Sequence, residues 1–231
     1  DDAKRKYDLL NDFEHNAGHL ARERAEKEEA LLKAGKAMSL RRKKAAASLK
    51  GTIEQELREL GFRSIAFEAR FGKKDPSPDG IDAVSFFIST NAGEDLKPLA
   101  EIVSSGEAAR IMLAVKRALM KADPVPVLIF DEVDAQIGGR LGTVIGRKLK
   151  EVAAHRQVIL ITHLPQIAAF AETHFRISKA EDKGRTRTLV EPITGKEQVN
   201  ELAHMMAGDN MTDAAVKHAK EMLKEACAGI S

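Results

Sequence analysis

Tryptophan is absent from this sequence, and Tyr7 is its only tyrosine. A surface that grips nucleic acid by stacking bases on aromatic rings is therefore disfavoured. Cys227 is the only cysteine, which excludes an intramolecular disulfide and a multi-cysteine metal site and points to a reducing, intracellular setting. No apolar run approaches the length of a membrane span. Asp1, Asp2 and the basic run from Lys4 to Lys6 do not open a signal peptide, and a start without methionine suggests a piece of a longer protein. An excess of one charge is missing too. The 37 basic and 35 acidic residues leave a net +2, which neither demands nor excludes DNA. Any such contact has to come from a local patch. The run Arg41-Arg42-Lys43-Lys44 is the compact candidate, and a solvated helix face is its plainer reading.

What is present fits one medium domain plus an extension. In 231 residues, 43% are hydrophobic, enough for a sizeable core, while 31% are charged, above the usual quarter. The charged excess points to a long solvated helix. Residues 1–60 supply it: they hold no proline and are rich in Ala, Glu, Lys, Arg and Leu. Leu10, Phe13, Ala17 and Leu20 form one apolar stripe, and Ile53, Leu57 and Leu60 form another. Between them Arg24, Lys27 and Arg41 break the register, and Gly18, Gly35 and Gly51 weaken the helix. An arm of coiled-coil type is the expectation, with a helix lying on the domain as the alternative.

Gly61 is the expected helix stop. Beyond it, over 61–231, strands alternate with helices. The pattern predicts strands over Ser64–Phe71 and Val84–Ser89, separated by a turn-rich loop from Lys73 to Gly80. A helix is expected over Glu107–Lys121, then a strand over Val127–Phe130 buried on both faces, then a helix over Gly142–Ala154. A second buried strand covers Val158–Thr162. A short helix over Ile167–Glu172, a hairpin around Lys183-Gly184, and helices over Gln198–Met206 and Thr212–Ala226 complete the chain. The fold class is α/β, mostly parallel, with an antiparallel flank.

Three stretches carry chemistry. Val127 to Phe130 ends in Asp131-Glu132, two carboxylates at the C-terminal tip of a strand, where α/β sheets place ligands. The first acid of such a pair holds Mg²⁺ in P-loop nucleotidases, and the second polarises a water. An exposed strand-to-loop turn is the plainer reading. His163 follows the second strand, one βαβ crossover later, so the tips of the two strands are expected side by side. Ser104-Ser105-Gly106-Glu107 opens a helix. Its hydroxyls and amides suit an anion, and a capping box from Ser104 to Glu107 explains it equally well.

Taken in order, these stretches resemble an ATP-binding-cassette head. Ser104-Ser105-Gly106-Glu107 stands where that superfamily has its signature, with Ser105 in place of the usual first glycine. Asp131-Glu132 matches the Walker B pair, Asp134 the D-loop aspartate and His163 the switch histidine. More narrowly, LKPLAEIVSSGEAARIMLAVK, LIFDEVDAQIGGR and ILITHLPQIAAFAETHFRISK resemble the RecN family, bacterial SMC-like DNA-repair ATPases. The resemblance implies the C-terminal lobe of a head over 61–231, with the returning helix of the arm over 1–60. It implies ATP and Mg²⁺ as cofactors, Asp131 as metal-holding acid, and Glu132 and His163 as catalytic residues. Ser104, Ser105, Gly106, Glu107 and Asp134 become nucleotide-binding residues. The implied partners are an N-terminal P-loop half, a second head and DNA, in the bacterial cytoplasm at the nucleoid and without a membrane. The P-loop pattern itself is missing: Gly35-Lys36, Gly72-Lys73 and Gly195-Lys196 are followed by Ala37, Lys74 and Glu197, never by Ser or Thr. An excised portion, inactive alone, is therefore expected. A structural adaptor with a degenerate head is disfavoured by Asp131, Glu132 and His163. A transporter-type cassette is disfavoured by the long helix and by Thr162-His163-Leu164-Pro165-Gln166.

Overall fold

The computed structural model describes residues 2–91, 93–101, 104–182 and 185–228. The chain divides into two compact units, residues 1–51 with 67–87, and residues 52–66 with 88–231. Among the described residues no helix is long and apolar enough to cross a membrane.

In the first unit, helix α1 (Asp2–Glu59) runs without interruption through Gly18, Gly35 and Gly51. The glycines do not interrupt the helix, and at Gly35 a use for one is visible. A Cβ there would lie 2.9 Å from Ile81 Cγ2, so the missing side chain lets the helix approach its neighbour. That neighbour is a hairpin of β1 (Ala66–Ser77) and β2 (Gly80–Ser89); the two-residue β3 (Lys97–Pro98) belongs to the second unit. Ser39 Oγ donates to Asp82 at 2.8 Å, and Arg42 donates to the Asp79 carbonyl at 2.6 Å. The expected loop from Lys73 to Gly80 is mostly strand. Only Pro78-Asp79 turn, because side-chain bonds close the hairpin tightly: Ser77 Oγ donates to the Gly80 carbonyl at 2.9 Å, and Lys74 Nζ sits 2.7 Å from Asp79. The Lys74 and Ser77 bonds hold the Asp79 carboxyl down to about 2. Phe13 and Leu20 of the first apolar stripe are 72% and 62% exposed, while the Leu10 side chain lies outside the described set.

In the second unit the last turns of α1 bury Ile53, Leu57 and Leu60, and the helix stops at Gly61, whose φ of 91° favours glycine. A short 3₁₀ turn (Leu99–Glu101) precedes α2 (Ser105–Ala118). Then come β4 (Val127–Phe130), α3 (Gly139–Ala153) and β5 (Gln157–Leu160). β4 and β5 pair in parallel, Val127 opposite Gln157 and Phe130 opposite Leu160, the βαβ crossover expected from the spacing. Arg156 fixes the approach to β4. Its guanidinium donates to the carbonyls of Met120, Asp123 and Val125 at 2.6, 2.7 and 2.9 Å.

The expectations that β4 is buried on both faces and that β5 is a buried strand are corrected. Leu128 and Phe130 are buried, but Ile129 is 69% exposed, and Ile159 and Ile161 are 45% and 52% exposed. The sheet has two strands, and no described element covers the second set of alternating side chains. Helix α4 is shorter than expected, Pro165–Ala168, and packs beside the Gly142 and Gly146 face of α3. Strands β6 (His174–Asp182) and β7 (Arg185–Ile193) form an antiparallel hairpin, though Lys183-Gly184 at its turn lie outside the described residues. Helices α5 (Lys196–Ala207) and α6 (Asp213–Ala228) close the unit around Leu202, Ala203, Ala219 and Met222.

A buried charge ties α1's last turns to α2 and α3. Lys148, 4% exposed, meets Glu56 at 2.7 Å and also Glu59, while Arg117 pairs with Glu56 at 2.9 Å and with Glu151. The bond from Lys148 holds the Glu59 carboxyl below its ordinary value. That contribution is present above the usual carboxylate range and is lost as the pH falls through it. Glu59 is half exposed, so solvent screens its share. Lys148→Ala should lower unfolding stability by about 2–4 kcal/mol in urea titrations at pH 7. The loss should shrink as the pH is taken from 5 to 3.

Candidate nucleotide-binding junction

Three chain segments meet at the C-terminal end of β4, namely the turn that follows it, the start of α2 and the tip of β5. Asp131 and Glu132 follow the strand directly, and both are exposed. Glu132 has φ 57° and Gln136 φ 61°, left-handed backbone that non-glycine residues adopt at a cost of about 1–3 kcal/mol. The turn is braced by its own backbone, with the Ala135 amide donating to the Glu132 carbonyl at 3.0 Å. Such strain persists where surrounding contacts over-determine it, and two neighbours supply those contacts.

The first is the start of α2. The Ala108 amide donates to the Ser104 carbonyl at 2.9 Å, opening the helix at Ser104. The expected capping box does not form. Ser104 stands at the N-cap position with no side-chain cap bond, so its hydroxyl is not spent on the helix. Gly106 is buried against the turn. A Cβ on it would lie 2.8 Å from Ala135 Cβ and 3.3 Å from the Glu132 carbonyl oxygen. One turn further along the helix, Arg110 donates to the Ala135 carbonyl at 3.1 Å and lies over the Phe62 ring at 5.3 Å. Burial pushes the Arg110 guanidinium below its ordinary value. Arg110 was not singled out in the sequence. Its position one helical turn after Gly106, on the same face, is the signal that points to it.

The second neighbour is the tip of β5, reached through Asp134. This carboxylate is 2% exposed. Its Oδ2 accepts from the Thr162 hydroxyl, from the His163 amide at 2.9 Å, and stands 3.2 Å from His163 Nδ1. The Thr162 hydroxyl in turn accepts from the Leu164 amide at 3.1 Å. The imidazole thus lies alongside the Asp134 carboxylate by its Nδ1 edge, on a side chain that is 73% exposed. The Asp134 side chain is taken up within the chain, and its reach is to Thr162 and His163. Ser104, Gly106, Glu132, Asp134 and His163 are therefore linked through named contacts, while Ser105, Glu107 and Asp131 join them as chain neighbours.

No protein-family model matches the chain. Single sequences do. DNA repair protein RecN of Halalkalibacterium halodurans is 43% identical over 187 residues, 79% of this chain and 33% of that protein. RecN of Bacillus subtilis is 40% identical over 80% of this chain and 35% of its own length. RecN of Deinococcus radiodurans is 39% identical over 93% of this chain and 38% of its own length. The chain belongs to the RecN family. It spans about a third of the length of the curated RecN proteins it matches. Among solved structures it is similar to an Smc head domain with a coiled coil and joint from Pyrococcus yayanosii, at 22% identity and a TM-score of 0.48, over 68% of this chain and 29% of that one. An Smc head domain with an extended coiled coil from Pyrococcus furiosus matches at 22% identity and a TM-score of 0.45, over 68% and 37%.

In this RecN-family chain, Asp134→Ala should release both strand tips at once. It strands the Thr162 hydroxyl and the His163 amide, and should cost about 2–4 kcal/mol by chemical denaturation. Gly106→Ala should cost about 1–3 kcal/mol through its collision with Ala135, against a few tenths for Ala109→Gly plus its helix-propensity term of about 1 kcal/mol.

Proposed function

We propose that the chain is the C-terminal portion of a cytoplasmic RecN-type ATPase acting in DNA double-strand break repair and recombination. In this reading it supplies the signature, acidic and histidine parts of a composite ATP site and lacks the phosphate-cradling loop. The observation that carries the reading is the junction itself. Gly106 and Arg110 seat the start of α2 on the Glu132–Ala135 turn, and Asp134 binds that turn to Thr162 and His163.

Each residue then has a task. Asp131 is the carboxylate that would hold Mg²⁺, whose chemistry is to neutralise phosphate charge. Among the described residues no group of three or more His, Cys, Asp and Glu could hold a metal ion. A magnesium site built from one carboxylate and phosphate oxygens fits that donor set. Glu132 orients the attacking water and takes its proton. His163, with Nδ1 engaged by Asp134, offers Nε2 to the γ-phosphate region. Ser104, Ser105, Gly106 and Glu107 present a helix N-terminus to an ATP held by the P-loop of a second head. Asp134 couples the two strand tips, and through the turn it fixes, the neighbouring site.

The uncovered apolar sides of β4 and β5 support a missing partner. Ile129, Ile159 and Ile161 form an exposed patch of the kind that marks an interface. An N-terminal half carrying the P-loop is its natural cover in a family whose members are about three times longer.

In the full-length protein Glu132→Gln should lower ATP turnover about 100-fold or more while ATP affinity stays within a factor of about three. Unchanged turnover would remove Glu132 from this role. The present chain alone should not hydrolyse ATP, and turnover by it at the full-length rate would overturn the composite-site reading.

A further inference from the structure

Between Ala30 and Ile53 the sequence holds seven basic residues and no acidic one. The net charge of the whole chain is only +2, so the remainder is net acidic. All of this stretch lies on α1. The helix is not free to present any side: Gly35 against Ile81, Ser39 and Arg42 on Asp82, and Met38 near Gly80 pin one face to the β1–β2 hairpin. At 100° per residue, Lys33, Lys36, Leu40, Arg41 and Lys44 fall on the opposite side. All five are exposed.

The basic residues divide by task. Arg42 is committed to Asp82 and the Asp79 carbonyl, and Lys43 lies over the Phe71 ring at 5.8 Å. Lys33, Lys36, Arg41 and Lys44 have no carboxylate partner among the described residues. Four cations on one helical face with no acid interspersed repel one another at these spacings. A polyanion removes that cost.

We infer that the Lys33, Lys36, Arg41 and Lys44 face of α1 docks the phosphate backbone of duplex DNA. The helical rise puts Lys33 and Lys44 about 16 Å apart along the axis, a length over which one DNA strand carries about five phosphates. The face has no aromatic residue, which disfavours a single strand held by stacking. Three of its four cations are lysines, compact point charges that suit phosphate oxygens. An acidic coiled-coil strand is the rival occupant. It requires an apolar seam along the same face, and Leu40 is the one large apolar side chain there. This inference deepens the DNA part of the function proposed above, and it makes no use of nucleotide.

The test is fluorescence anisotropy of a labelled 30-base-pair duplex against the whole 231-residue chain, without ATP, over a series of salt concentrations. The comparison is between the parent, the quadruple variant Lys33→Ala/Lys36→Ala/Arg41→Ala/Lys44→Ala, and a control, Lys217→Ala/Lys220→Ala/Lys224→Ala on α6. Alanine keeps the helix, which circular dichroism verifies. The quadruple variant should bind about tenfold more weakly or worse at low salt, and the slope of log K against log salt should fall by about 3–4. The control should bind within about twofold of the parent. Equal losses in both variants, or an unchanged slope, would overturn the proposal. So would intact DNA binding accompanied by loss of binding to the N-terminal portion of the protein, which would assign the face to a protein strand. Failure of any of these leaves the role of Glu132 in ATP turnover untouched, and the reverse also holds.

Discussion

The buried carboxylate of Asp134 is the constraint on which the junction depends. An anion out of reach of water needs donors, and Asp134 finds them in the Thr162 hydroxyl and the His163 backbone amide. All of these donors lie at the end of the neighbouring parallel strand. Satisfying the charge therefore fixes the turn after β4 against the turn after β5 and brings the His163 ring beside the carboxylate. A hydrophobic contact would hold the strands together as well, but it would not choose an orientation for the imidazole.

Close approach does the complementary work. Gly106 lets the start of α2 sit against the Glu132–Ala135 turn, and Gly142 and Gly146 let α3 sit against the segment that follows His163. Each glycine sacrifices helix propensity of about 1 kcal/mol and gains contact that no larger residue permits. The left-handed backbone of Glu132 is kept in place by these neighbours, so an energetically poor conformation survives at the tip of a strand. The same economy of charge governs the base of α1. Lys148 is buried because Glu56 and Glu59 are both there to meet it, and Arg117 completes the pairing of Glu56.

Among the described residues, two of the exposed surfaces differ in kind. The exposed isoleucines of β4 and β5 are apolar and contiguous with a packed core, and call for a protein layer. The acid-free side of α1 is cationic and held away from its own hairpin, and calls for an anion. The composite site and the DNA contact proposed for this RecN-family chain draw on these separate features.

Much was legible locally. The long helix, its stop at Gly61, the order of strands and helices, the parallel pair and the late hairpin follow from composition, period and spacing, which act within a few residues. The motif residues of the junction were legible as well, since each carries its chemistry in its own side chain. What tertiary structure decided lies across longer separations. Residues 73–77 read as a loop because of their prolines and charges, yet a hairpin closed by Lys74, Ser77 and Asp79 extends the strand. Ser104 and Glu107 have the spacing of a capping box, yet the cap bond does not form. The sequence by itself determined which elements exist and which residues could do chemistry. Only the fold decided that Asp134 turns inward to hold His163, that Glu132 takes left-handed backbone, and that one face of the central strands stays bare. Burial and hydrogen-bond satisfaction depend on what arrives from 25 or more residues away, and no local pattern records it.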